Sequence, residues 1–175
     1  MYNRYFYINQ EKEKADTEKL SALISSSNWV DKNTIIVVCS PEYSSALCQH
    51  VNHQVCRANK NVPLPMYFLD MPYPGGEEYS YMEYNHMLSK LGESLHGTNK
   101  KALLLDSGVL RGMNFTIAKQ VLSKYTHSDQ VRYGCLYKQE TSIFEPDYYV
   151  QSFDFVVDGG LLFWWENQKI PYWKY

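Results

Sequence analysis

The run Asp106-Ser107-Gly108-Val109-Leu110-Arg111-Gly112-Met113-Asn114 brings an acid, two glycines, a guanidinium and an amide together in nine residues. The glycines permit tight or left-handed backbone and a close approach by a ligand. A helix starting after them offers unpaired N–H groups and the positive end of its dipole to a phosphate. Arg111 suits a bidentate clamp on such a group, and Asn114 suits either a helix cap or a phosphate donor. An ordinary βα turn, with glycines for geometry alone, accounts for the same residues equally well.

What argues for a site is the position of this run. Lys101 to Leu105 (KALLL) reads as a buried strand and Phe115 to Tyr125 as an amphipathic helix. The run therefore lies beyond the carboxyl end of a strand, where parallel α/β sheets bind their ligands. The same alternation recurs along the chain. Thr34 to Cys39 (TIIVVC) is a short, β-branched apolar run expected of a strand covered on both faces, and Ser40, Pro41 and Glu42 break it. Ser44 to Val55 then carries Leu47, Val51 and Val55 on one helical stripe. Upstream, Ala15 to Ile24 predicts an amphipathic first helix capped by Asp16 or Thr17.

Val62 to Leu69 predicts a second strand that its two prolines confine to a start or an edge. Asp70 to Glu78 is a long polar turn, and Met87, Leu88, Leu91 and Leu95 predict a helix ending near Gly97. Val131 to Tyr137 predicts a further strand. Strands alternating with helices imply a parallel sheet with right-handed crossovers. The aromatic tail from Asp147 to Tyr175 breaks that rhythm and predicts a hood or an edge extension. The fold expected is one α/β domain over residues 1–175.

Composition narrows the partners. A 175-residue chain with 45% apolar and 21% charged residues has a globular balance. Its net charge of −2 provides no broad basic field, so a nucleic-acid polymer is disfavoured while a small anionic ligand is not. Sixteen tyrosines suit a binding surface. The cysteines, Cys39, Cys48, Cys56 and Cys135, form no C-x-x-C pair and read as reduced thiols. His50 and His53 lie one helical turn apart without a partnering cluster. Asp70, Glu77, Glu78 and Glu83 read as solvated loop charges. With no apolar leader at Met1 to Tyr7 and no run long enough for a bilayer, a cytoplasmic protein without a membrane partner is expected. No nucleophile elbow, H-E-x-x-H pair or Walker loop supports hydrolase or nucleoside-triphosphatase chemistry.

KALLLDSGVLRGMNF resembles the phosphoribosyl-diphosphate motif of the type I phosphoribosyltransferases, in which apolar residues lead to two acids and a Thr-Gly-x-Thr loop. Asp106 matches the first acid and Gly112 the loop glycine. Ser107 stands at the second acid, Arg111 and Asn114 at the two threonines. Tyr137-Lys138 and Glu145 to Val150 (EPDYYV) are similar to the lysine strand and Pro-Asp-Tyr-Tyr-Val segment of the hypoxanthine, guanine and xanthine branch. Phe153 to Val157 resembles that branch's base-stacking stretch, Phe163 to Glu166 its Phe-Pro-Trp-Glu ending, and Ser80-Tyr81 the Ser-Tyr of its closing loop. The turn after the first strand departs from the pattern, with Glu42 where a cation is expected.

The resemblance implies a three-layer parallel-sheet fold with a small hood formed by the N-terminus and roughly residues 147–175. It implies transfer of a phosphoribosyl group to a purine-like base with release of pyrophosphate. Asp106 would hold the ribose hydroxyls, and Ser107, Gly108, Val109, Leu110, Arg111, Gly112, Met113 and Asn114 would form the phosphate and sugar site. Lys138 would donate to the base oxygen, Phe155 would stack on the base beside Val156, and Ser80 and Tyr81 would close over the centre. Magnesium would enter with the sugar diphosphate rather than through protein ligands. The partners are then a phosphosugar and a nitrogenous base or nucleotide, with a homodimer left open. Two alternatives stay open, a nucleotide or phosphosugar sensor without turnover and an enzyme with a changed donor. For Trp164, Trp165 and Trp173, closing the core is the more direct reading.

Overall fold

The structure is a computed structural model that describes residues 5–58, 63–70, 72, 78–154 and 160–163. Its elements are β1 (Tyr5–Ile8), α1 (Gln10–Ser26), β2 (Thr34–Cys39), α2 (Pro41–Ala58), β3 (Met66–Leu69), α3 (Glu78–Leu95), β4 (Lys101–Val109), α4 (Met113–Leu122), β5 (Val131–Gln139), β6 (Tyr148–Phe153) and β7 (Gly160–Phe163). Five strands form a parallel sheet in the order β3-β2-β4-β5-β6. A separate parallel pair joins β1 to β7. No described helix is long and apolar enough to cross a membrane.

The alternation of strand side chains sorts the interior into two cores. Ile36, Val38, Leu103 and Leu105 face Leu20 and Ile24 of α1 and Leu47, Val51 and Val55 of α2. Val37, Cys39, Ala102 and Leu104 face Leu88, Leu91 and Leu95 of α3 and Phe115, Ala118 and Leu122 of α4. The result is the expected three-layer arrangement, with a sheet covered on both faces.

Several boundaries differ from the sequence expectation for identifiable reasons. The first helix is capped by Asn9, whose side chain accepts from the Lys12 N–H at 2.7 Å, not by Asp16 or Thr17. Both of those residues are buried on its inner face, while Glu11 and Glu13 occupy the dipole-favoured first turn. Pro41 opens α2, since its fixed φ and missing N–H suit a first helical turn. β3 shrinks to four residues at the sheet edge after the prolines, and Asn52 ties down the preceding chain through both backbone groups of Leu64 (2.9 and 3.0 Å). β4 continues through Val109, so Asp106 to Val109 belong to the strand and the loop proper is Leu110 to Gly112. The aromatic tail divides, with β6 extending the main sheet and β7 pairing with β1.

Candidate functional site at the carboxyl ends of β2 and β4

The chain leaves β2 through α2 toward β3 on one side and leaves β4 through α4 toward β5 on the other. The crevice between β2 and β4 is therefore the switch point of the sheet, the place where open α/β folds bind ligands. Ser40, Ser44, Asp106 and Ser107 gather there. Ser40 holds a left-handed φ of 52° without being glycine, and its carbonyl accepts the Ser44 N–H at 3.0 Å.

Asp106 is half-buried. Its Oδ1 accepts from the Ser44 hydroxyl at 2.8 Å and from the Ser107 N–H at 2.7 Å, and the Gly108 N–H also donates to the carboxylate. Desolvation outweighs these donors and pushes the carboxyl up to about 7. An acid that titrates near neutrality at a switch point is a functional-site candidate on physical grounds. The Ser107 N–H is also 3.1 Å from the Ser44 oxygen. On the other side of this strand Asp106 pairs with Cys135 and Gly108 with Tyr137.

The loop that follows is short and firmly seated. Gly112 caps α4 with φ 80°, and a Cβ there would lie 2.6 Å from Phe144 Cβ and Ser142 Oγ. Only glycine fits both demands. The Arg111 carbonyl accepts from the Ile143 N–H at 3.2 Å, and Thr116 donates to the Gly112 carbonyl through its N–H and its hydroxyl. Beneath, Phe115, Tyr133 and Phe144 pack edge to face or tilted, with ring centres 4.9 to 5.4 Å apart. Arg111, Leu110 and Met113 are exposed at the rim. Val109 turns into the core.

Asn114 is not the helix cap. Gly112 takes that place, while the Asn114 amide donates to the Pro72 carbonyl at 3.2 Å and its carbonyl accepts from the Tyr84 hydroxyl at 2.9 Å. Lys138 pairs in register with Val109, which brings it to the same end of the sheet. There its ammonium is hydrogen-bonded to Glu145, which raises its pKa, and lies 5.3 Å from the centre of the Tyr149 ring. Ser80 and Tyr81 fall in the first turn of α3, which begins nine residues before Met87 because Tyr84 extends its buried stripe. Phe155 and Val156 lie outside the described residues, as do Trp164, Trp165 and Trp173. Ser44 is the participant that sequence reasoning missed. Its one signal was its position, four residues past the turn that ends β2.

No family model matches the chain, and no curated protein matches it. Solved structures do. A Helicobacter pylori xanthine-guanine-hypoxanthine phosphoribosyltransferase is 12% identical, with 97% of each chain covered and a TM-score of 0.63. The HGPRT-ase of Leishmania tarentolae, solved in complex with GMP, is 14% identical over 84% of this chain and 80% of its own, with a TM-score of 0.61. A hypothetical protein from Neisseria gonorrhoeae with bound ppGpp is 13% identical over 95% of this chain and 91% of its own, with a TM-score of 0.65. At these identities the likeness concerns architecture. The five-stranded parallel sheet with helices on both faces is thus the α/β fold of the type I phosphoribosyltransferases.

Proposed function

We propose that the chain binds a purine nucleotide or its phosphoribosyl precursor at the β2–β4 crevice and transfers the phosphoribosyl group to a purine-like base. The observation that carries this reading is Asp106, an acid titrating near neutrality at the switch point of the sheet, in the strand that leads to a left-handed glycine and a helix N-terminus. Its support comes from the neighbours as well, two of which were solved with guanine nucleotides.

In this reading a base nitrogen bonds to the anomeric carbon as the bond from that carbon to the pyrophosphate oxygen breaks, and the base proton passes to solvent or to the departing diphosphate. Such a transfer needs positioning and charge stabilisation more than a protein nucleophile. The Asp106 carboxylate accepts from the ribose hydroxyls. The first turn of α4 and Arg111 receive the 5-phosphate and Lys138 donates to the exocyclic oxygen of the base, while the roles of Phe155 and Val156 at the base rest on the sequence resemblance alone. Ser80 and Tyr81 approach from the start of α3, and the β1–β7 pair forms the hood. Among the described residues no three His, Cys, Asp or Glu side chains converge on a cation. In this reading magnesium is carried by the diphosphate, where it would offset negative charge on the leaving group.

A second reading, binding without turnover, is favoured by two contacts. Ser107, at the second acid position, packs its hydroxyl near Ser44 (3.4 Å), and Glu145 holds the Lys138 ammonium. Calorimetry with guanosine monophosphate and with phosphoribosyl diphosphate plus magnesium, run beside a pyrophosphate-release assay with guanine, hypoxanthine and xanthine, separates the two. Binding with pyrophosphate release supports the transferase, binding alone supports the sensor, and no binding at millimolar concentration contradicts both.

A further inference from the structure

We propose that Ser44 is the positioning residue of this site: its buried hydroxyl fixes the Asp106 carboxylate and couples the β2–α2 turn to β4, so that the acid meets a ligand hydroxyl in one orientation. The part concerning ligand rests on the nucleotide-binding reading above; the part concerning Asp106 does not. Ser44 has no solvent exposure, so its hydroxyl must be satisfied within the protein. It donates to Asp106 Oδ1 at 2.8 Å and accepts from the Ser107 N–H at 3.1 Å. With the Ser107 N–H also 2.7 Å from Asp106 Oδ1, serine, acid and backbone close into a triangle.

The helical setting makes this choice of partner informative. A serine inside a helix commonly returns its hydroxyl to the carbonyl four residues back. Ser45 does so to Pro41, and Ser21 to Thr17. Ser44 instead reaches across 62 residues of sequence to the acid. Its place is set from behind by Ser40, whose left-handed backbone is held by its N–H to the Leu69 carbonyl at 3.2 Å and by its carbonyl to the Ser44 N–H. Left-handed backbone is unfavourable for a non-glycine residue, and such conformers persist where the surroundings over-determine them.

Among the described residues, the titratable neighbours leave the neutral range to Asp106. Cys39 from β2, Cys48 from α2, Tyr84 from α3 and Cys135 from β5 face it, and burial raises the pKa of all four. Beyond Cys135 lies the Lys138–Glu145 pair. Removing a hydroxyl that donates to the carboxylate removes stabilisation of the charged form, so Asp106 should titrate higher without Ser44.

The test is carbon NMR of the Asp106 carboxyl in the ligand-free protein, followed by calorimetric titration with guanosine monophosphate from pH 6 to 9. In Ser44→Ala the Asp106 midpoint should rise by about one pH unit. The pH below which nucleotide affinity falls should rise with it. Ser44→Thr should restore both values, and Ser44→Cys, a weaker donor of similar size, should fall between and serves if the alanine variant does not fold. Ser21→Ala, which removes a buried hydroxyl in α1, should change neither. An unmoved Asp106 midpoint in both Ser44→Ala and Ser44→Cys overturns the positioning role. A shifted midpoint in a protein that binds no nucleotide sustains the hold on Asp106 and overturns only the functional reading.

Discussion

Asp16 and Asp106 are both drawn away from water in this fold, and they are treated in opposite ways. Asp16, on the inner face of α1, is only 1% exposed. Burial alone would raise its pKa, but hydrogen bonds from Lys12 (2.7 Å), Lys19 (2.8 Å) and the Tyr137 hydroxyl (2.8 Å) prevail and hold it low. Asp106 receives hydrogen bonds from a hydroxyl and two backbone N–H groups, all uncharged, and burial prevails. One acid is a settled structural charge that clamps α1 to β5. The other is kept near its titration point at the mouth of the crevice, where an incoming hydroxyl or phosphate would change its balance.

The two acids give stability opposite slopes with pH. Asp16 has a folded pKa below its ordinary 3.8, so its contribution is complete above that value and is lost as pH falls through the folded one. Asp106 has a folded pKa of about 7, so the folded state holds an extra proton between about 3.8 and 7 and loses that advantage as pH rises through this window.

The strongest way to break the comparison is Asp16→Ala, which removes the buried carboxylate that Lys12, Lys19 and the Tyr137 hydroxyl all donate to. It should lower stability at pH 7 by about 2–4 kcal/mol in urea denaturation, with nucleotide binding intact in the folded fraction. Gly112→Ala comes next, because it combines a left-handed φ with a 2.6 Å approach to Phe144 and Ser142. A loss of about 2 kcal/mol or more is expected, together with weaker nucleotide binding, since the loop must move. Asp106→Asn should go the other way. It keeps an acceptor for Ser44, removes a poorly solvated charge, and should raise the thermal midpoint at pH 8 by an amount corresponding to about 1–2 kcal/mol, with little change at pH 4. The smallest effect belongs to Glu145→Gln. Glu145 is well exposed, so the variant should change stability by less than about 1 kcal/mol. By freeing Lys138 it should strengthen binding of an oxygen-bearing purine nucleotide several-fold in calorimetry.

The layers and strand order of this molecule follow from short-range patterns. The β-branched run at Thr34, the KALLL strand and the stripe through Leu88, Leu91 and Leu95 each announce an element whose burial the fold then supplies. Boundaries were less legible, because tertiary contacts set them. β4 runs on through Asp106 since its pairing with β5 continues to Val109 and Lys138, although glycine and polar residues locally suggest a loop. The Asp106, Gly112 and Lys138 positions were readable from the motif they resemble. Their partners were not, since Ser44, Pro72 and Glu145 come from segments that only folding brings near. Asp16 shows the same limit: near the start of a helix it reads as a cap, and only the approach of Tyr137, 121 residues away, makes it a buried anchor.

The account turns on whether Asp106 belongs to a nucleotide site. Isothermal titration of guanosine monophosphate into the wild-type protein and into Asp106→Asn at pH 8 tests this most directly. A saturable wild-type isotherm with affinity at least tenfold weaker in the variant, in a protein that is as stable or more stable, is the predicted result. Equal affinity in the two proteins, or no binding to either, would contradict it.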